Sequence, residues 1–184
     1  MISISYTQTK SHEAISDGFV PQRFSYNSFQ FKNSVDNNSG HLLSILFVDD
    51  DADESYLFNE ALEHACLQVQ LLRATDGNDL LLQLKLSPTP DLVFMDMNMP
   101  HKDGLETLVE IRQNQKFAKL PVVIYSTTKD DTSIDKCFKN GANLFVIKPN
   151  NFDGLVRIVK HICSISWTNF PQPAREQFVI TEDL

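Results

Sequence analysis

A chain of 184 residues has room for one domain with appendages and argues against two full domains. With 42% apolar and 10% aromatic residues it can bury a core, which excludes disorder of the whole chain. Its 24 acidic residues against 16 basic ones give a net charge of −8 with no Lys/Arg stripe, which argues against a nucleic-acid-binding surface.

No apolar run approaches the ~18 residues a membrane span needs, so no membrane contact is expected. The opening MISISYTQTK lacks a basic segment followed by an apolar one, so no secretory signal is read and a cytoplasmic location is the expectation. Cys66, Cys137 and Cys163 are too scattered for a disulfide framework or a C-x-x-C metal pair. All three fall in apolar-periodic segments and read as buried thiols.

Residues 1–40 are rich in Ser, Asn and Gln, and their charges cancel, with Lys10, Arg23 and Lys32 against Glu13, Asp17 and Asp36. The segment has no sustained period, reads as a largely irregular extension and ends in the polar linker SVDNNSG. It holds Tyr6, Phe19, Phe24, Tyr26, Phe29 and Phe31, unusual for a solvated tail, so docking of FSYNSFQF competes with plain disorder.

From residue 41 short apolar runs alternate with amphipathic segments, the pattern of βα units around a parallel sheet. SILFV (44–48) reads as the first strand, followed by a helix over about 53–66 with Leu57, Phe58, Ala61, Leu62, Ala65 and Cys66 at helical spacing. VQLLR is the second strand, ATDGN a turn and cap, and Leu80 to Leu86 a short helix stopped by Pro88 and Pro90. LVFM (92–95) is the third strand, and Leu105, Leu108, Val109 and Ile111 mark the third helix. PVVIY (121–125) and LFVI (144–147) are strands four and five, separated by a helix with Ile134, Cys137 and Phe138 that stops at Asn140-Gly141. A fifth helix, about 152–166, is apolar nearly all round. It is either buried or exposes part of Ile158, Ile162, Ile165 and Trp167 as a partner face. After Trp167 the chain is broken by Pro171 and Pro173, and FVITEDL reads as a strand or a docking peptide.

Right-handed crossovers turn such an alternation into an open, doubly wound α/β sheet with helices on both faces. Functional groups then gather at the carboxyl ends of the strands. Those positions hold Asp49, Asp50 and Asp51 after strand one, Asp96 after strand three, Ser126, Thr127 and Thr128 after strand four, and Lys148 and Pro149 after strand five. Three acids in a row are ordinarily a solvated loop. What reverses that reading is that Asp96, Ser126 and Lys148 each follow another strand at once. Converging carboxylates raise one another's pKa and need a cation, and an all-oxygen donor set suits Mg²⁺, with Mn²⁺ as a substitute. A lysine and a hydroxyl at the same rim suit a phosphoryl group, which Asp96 can attack. Met95, Met97 and Met99 read as packing residues, and His101 as an exposed loop residue.

The segments LFVDDDADE, PDLVFMDMNMPHKDGLE, PVVIYSTT and GANLFVIKP resemble the receiver domain of two-component response regulators over about residues 42–166. The resemblance implies a flavodoxin-like, five-stranded parallel sheet of order 2-1-3-4-5, and divides the chain into an extension (1–40), a receiver domain (41–167) and a tail (168–184). It implies Asp96 as phospho-acceptor and Asp49, Asp50, Asp96 and the Met97 carbonyl as Mg²⁺ ligands. Ser126 becomes the mobile hydroxyl, Lys148 its ion-pair partner before a cis Pro149, and Phe145 the aromatic switch that turns inward. Asn98 and Thr128, with Thr127 beside them, tune hydrolysis, and Asp51 is left as a helix-start acid. Two departures stand out, Asn150-Asn151 before Phe152 and serine in place of threonine at 126.

The implied function is a stand-alone response regulator in a phosphorelay, similar to receivers that serve phytochrome-type and hybrid kinases. It takes phosphate from a sensor histidine kinase or histidine phosphotransfer protein and catalyses only its own phosphorylation and dephosphorylation. It signals to a downstream protein, or through a homodimer, by the face of helix four, strand five and helix five. One alternative is a Mg²⁺-dependent aspartyl-phosphate phosphohydrolase, disfavoured because Asn98 stands where a general acid is needed. Another is a degenerate receiver that binds without phosphorylation, disfavoured by the intact set Asp49, Asp50, Asp96, Ser126 and Lys148.

Overall fold

A computed structural model of the chain describes residues 42–183, so the readings for the extension 1–40, docking included, lie outside the described residues. The elements run β1 (Leu43–Val48), α1 (Ala52–His64), β2 (Val69–Ala74), α2 (Gly77–Leu86), β3 (Leu92–Asp96) and α3 (Gly104–Gln113). They continue with β4 (Val122–Ser126), α4 (Asp131–Lys139), β5 (Leu144–Ile147), α5 (Phe152–Ser164), a 3-10 turn at Arg175–Gln177 and β6 (Val179–Ile180). All strand pairs are parallel, in the order β2-β1-β3-β4-β5-β6.

The central strands are continuous apolar runs because both of their faces are covered. On one face Phe58, Ala61 and Leu62 of α1 join Leu155, Ile158, Val159 and Ile162 of α5. On the other, α2, α3 and α4 bring Leu80, Leu84, Leu108, Ile111, Ile134 and Cys137. Each helix starts on an acid or amide whose side chain accepts a backbone N–H of its first turn: Asp51, Asp76, Asp103, Asp130 and Asn151. These caps place every helix start, and the loop before it, at the carboxyl rim. Asp51 thus serves as the helix-start acid expected of it, and Asn151 shows why Asn150-Asn151 does not disturb α5.

The structure corrects several boundaries. α1 ends at His64 because Cys66 adopts φ 54°, its N–H bonds to the Glu63 carbonyl and that of Leu67 to the Leu62 carbonyl. That closure turns Cys66 outward, so it is exposed, whereas Cys137 is buried and Cys163 half-buried. α2 begins three residues before Leu80 because Asp76 caps it there. Ile158, Ile162 and Trp167 are buried against α1 and the sheet rather than offered as a partner face. Every peptide bond among the described residues is trans, Lys148–Pro149 included, the isomer that an X–Pro bond prefers by ~0.5–1 kcal/mol.

Among the described residues the sheet has six strands rather than five. Residues after Trp167 return across the end of α4, where the Gln172 amide donates to the carbonyls of Phe138 and Ala142 at 2.7 Å. Phe178 is fully buried between Phe138 and Phe145, and Val179–Ile180 pair with Phe145–Val146 of β5. Within FVITEDL, Val179–Ile180 therefore form a short strand, and it lies on β5, at the centre of the face read as an output surface.

Candidate functional site

Strand register assembles the site. Val48 stands opposite Met95, Asp96 opposite Tyr125 and Ser126 opposite Ile147, so the residues that end β1, β3, β4 and β5 share one rim. Asp49, Asp96 and Ser126 are buried there, whereas Asp50 is exposed. One carboxylate oxygen from each of Asp49, Asp50 and Asp96 falls within 4.8 Å of the other two. The Lys148 ammonium lies 3.0 Å from Asp49 Oδ2 and 3.8 Å from Asp96 Oδ2. The ammonium also lies over the Tyr125 ring, 4.9 Å from its centre.

Two residues that sequence reading did not single out complete this arrangement. Glu54, in the first turn of α1, puts Oε2 3.8 Å from Lys148 Nζ. The signal for it was its position one helical turn beyond the acidic run, which aims it back at the rim. Tyr125, next to Ser126 but on the opposite sheet face, supplies the platform for Lys148 by strand alternation.

Three carboxylates, Asp49, Glu54 and Asp96, thus surround one ammonium. Burial, with the Asp49 charge added, pushes the Asp96 carboxyl up to about 6, against the pull of Lys148 and of the Asn98 and Met97 amides. The Met97 N–H donates to Asp96 Oδ1 at 2.7 Å and fixes the rotation of the carboxyl. Glu54 is raised as well, chiefly by burial. Lys148 is desolvated, but Asp96, Asp49 and Glu54 raise it, so it stays charged. The same acids and burial raise the Tyr125 phenol, which stays protonated. This excess of buried negative charge is what a divalent cation neutralises, and three hard oxygen donors at such spacing suit one.

The remaining rim residues divide. Ser126 is fully buried and its Oγ accepts the Thr128 N–H at 3.3 Å, while its carbonyl accepts the Lys148 N–H at 2.8 Å. Asn98 and Thr127 are exposed at the rim and Thr128 is half-buried. The Met97 carbonyl accepts the Gly104 N–H at 2.9 Å, so the start of α3 already uses one of its lone pairs. Gly104 is needed there because a Cβ would collide with the Asp96 carbonyl oxygen and press on Met97 Cα. Phe145 is not at the rim at all: it is fully buried on the α4 side of β5, beneath Phe178. Met95 and Met99 are packed and His101 is exposed, as expected.

Comparison with known proteins bears on this rim. Residues 45–160 match the family described as response regulator receiver domain. The chain is 30% identical over 136 residues to the response regulator Rcp1 of Synechocystis sp. (strain ATCC 27184 / PCC 6803 / Kazusa), covering 71% of this chain and 92% of that protein. It is 29% identical to the probable methanogenesis regulatory protein FilR2 of Methanothrix harundinacea, covering 71% of this chain and 88% of that one. Among solved structures, the phosphorylated cyanobacterial phytochrome response regulator RcpA superimposes with a TM-score of 0.64 at 27% identity, over 73% of this chain and 100% of that one. The Mn²⁺-bound form of Rcp1 superimposes with a TM-score of 0.62 at 30% identity, over 71% and 99%.

Proposed function

Because the chain belongs to the response regulator receiver family and so works in two-component signalling, we propose that Asp96 is its phosphoryl acceptor. An Asp96 oxygen attacks the phosphorus of a phospho-histidine on a sensor kinase or histidine phosphotransfer protein. A P–O bond forms as the P–N bond breaks, and the imidazole keeps the electron pair. Lys148, already within 3.8 Å of Asp96 Oδ2, holds charge on the transferring oxygens, and Ser126 donates its hydroxyl to them.

Asp49, Asp50 and Asp96 would hold Mg²⁺, or Mn²⁺ in its place, which when bound neutralises the carboxylates and the phosphoryl oxygens. Exposed Asn98 and Thr127 and half-buried Thr128 control how water reaches the acyl phosphate, so they set the rate at which the protein releases its own phosphate. Phe145 carries the change to the α4–β5–α5 face, where a downstream protein reads it. The likeness to a phytochrome response regulator supports a sensor of that class as the phosphate source.

The observation that carries this reading is Lys148 standing between Asp49 and Asp96 while three carboxylates converge. It favours a receiver over a phosphohydrolase, because no second acid takes the place of Asn98. The test is incubation with Mg²⁺ and a small acyl phosphate, read by intact mass. One added phosphoryl group in the native chain and none in Asp96→Ala is the expected result. An adduct that persists in Asp96→Ala, or no adduct together with no Mg²⁺-dependent binding of beryllofluoride, overturns it.

A further inference from the structure

The C-terminal strand grips the phosphorylation site from behind. Segment 145–151 carries Lys148 at its middle, and the tail holds this segment at both ends. At one end Phe178, fully buried, packs on Phe145 with ring centres 6.3 Å apart, and the Phe145 N–H donates to the Phe178 carbonyl at 2.9 Å. At the other end the Glu182 carboxylate accepts from the side-chain amides of both Asn150 and Asn151 at 3.1 Å, and its carbonyl accepts from Arg157 Nε at 3.1 Å. Gly154 makes this approach feasible, since a Cβ there would collide with the Glu182 carboxylate. Arg175 anchors the strand's entry by an ion pair to Asp135 at 2.6 Å on α4. Between the two grips a cavity of about 210 Å³, walled by Lys148, Pro149 and Asn150 on one side and Thr181 and Glu182 on the other, leaves the segment room to shift.

We propose that residues 172–183 are an intramolecular strand ligand whose docking is coupled to the state of Asp96 through Lys148. The inference rests on Asp96 being the phosphoryl acceptor. In the docked arrangement Lys148 sits nearer to Asp49 (3.0 Å) than to Asp96 (3.8 Å). A phosphoryl group on Asp96 adds negative charge on the far side and draws the ammonium toward it. Any shift of the Lys148 backbone that accompanies this pull is passed along the segment to Phe145, Asn150 and Asn151, the residues that Phe178 and Glu182 clasp. The clasp fits the unmodified position, so phosphorylation loosens the tail. Release bares the hydrogen-bonding edge of β5 together with the aromatic slot between Phe138 and Phe145 that Phe178 now fills. That surface takes an extended peptide by strand addition, with an aromatic side chain in the slot.

Thermodynamic linkage makes the coupling reciprocal: whatever phosphorylation does to docking, loosening the tail must do equally to binding of a phosphoryl mimic. The test uses the full chain with Mg²⁺ and beryllofluoride, with binding followed by fluorine NMR and the tail by hydrogen exchange of residues 178–182. Expected are exchange at least ~5-fold faster in the tail on binding, and at least ~5-fold tighter binding in Glu182→Ala and Phe178→Ala. Glu182→Ala cuts the clasp without opening a core cavity, so it stands if Phe178→Ala does not fold. If the mimic binds but exchange and affinity stay unchanged, or move in the opposite direction, the inference is overturned while the acceptor reading survives. If the mimic does not bind the native chain and an acyl phosphate adds nothing to it, the acceptor reading falls and the inference with it.

Discussion

At the amino ends of β4 and β5 a half-buried guanidinium meets only neutral oxygens, whereas at the carboxyl ends of β1 and β3 buried carboxylates meet one another. Arg112 donates to the carbonyls of Gly141 and Leu120, both at 2.9 Å, and to Asn143 Oδ1 at 3.1 Å, an oxygen that also accepts the Val122 N–H at 2.9 Å. Burial lowers its pKa, but an arginine remains charged. Every partner there is satisfied, and the cluster ties α3 to the starts of two strands. At the other end Asp49, Glu54 and Asp96 all lie within 3.8 Å of Lys148, so three carboxylates share one ammonium while Asp50 adds a further acid at the rim. Buried charge alone therefore does not mark a functional site; the uncompensated charge does.

The comparison breaks most readily at Arg112. Alanine there leaves two carbonyls without this donor in a half-buried site, and Asn143 Oδ1 with the Val122 N–H alone. The expected loss is about 3 kcal/mol, read as a lower urea midpoint with an unchanged slope. A loss below ~1 kcal/mol would show that the amino-end cluster is not the structural one.

At the opposite end the same experiment should change sign. The folded Asp96 carboxyl lies at about 6, above its ordinary 3.8, so folding favours its protonated form. Its contribution is fully present below the ordinary value and is lost as pH rises through about 6. Without divalent metal the native protein should therefore lose stability between about pH 4 and 6, and Asp96→Asn should not. At pH 7.5 the variant is expected to be more stable by about 2 kcal/mol, measured by urea unfolding in chelator. Adding Mg²⁺ should narrow that gap, because the cation relieves the repulsion that the substitution removes. A variant less stable than the native chain at pH 7.5 would mean that the rim holds the fold together rather than straining it.

These contrasts also say which features can be read from sequence. The rim was legible because each central strand is an unbroken apolar run that ends on a chemically distinct residue, so Asp49, Asp96, Ser126 and Lys148 announce both the strand ends and the site. Parallel order and helices on both faces follow from the same alternation. Glu54 was not legible as a site residue, because an acid in a first helical turn is ordinary until the helix is aimed at the rim. Arg112 was not legible as a structural residue either, since nothing in local pattern reveals three acceptors supplied by residues 120, 141 and 143. β6 was ambiguous because two residues carry too little periodicity to specify a register, and Pro171 and Pro173 hide where the chain returns. Phe178, 33 positions after Phe145, shows its role only once both rings share the slot.

The smallest effect sharpens the same contrast through backbone conformation. At the carboxyl rim Gly104 lacks a side chain because the Asp96 carbonyl leaves no room for one. At the amino end of β2 the opposite holds: Cys66 closes α1 at φ 54° with a side chain that is exposed and a conformation that favours glycine. The strain of holding a β-carbon there is ~1–2 kcal/mol, and glycine returns part of that gain through its more flexible unfolded state. Cys66→Gly should therefore stabilise the protein by about 0.5–1 kcal/mol in thermal unfolding, with phosphorylation unaffected. Destabilisation would mean that the exposed thiol makes a contact worth more than its strain, and would remove the distinction between a loop shaped for stability and a rim shaped for chemistry.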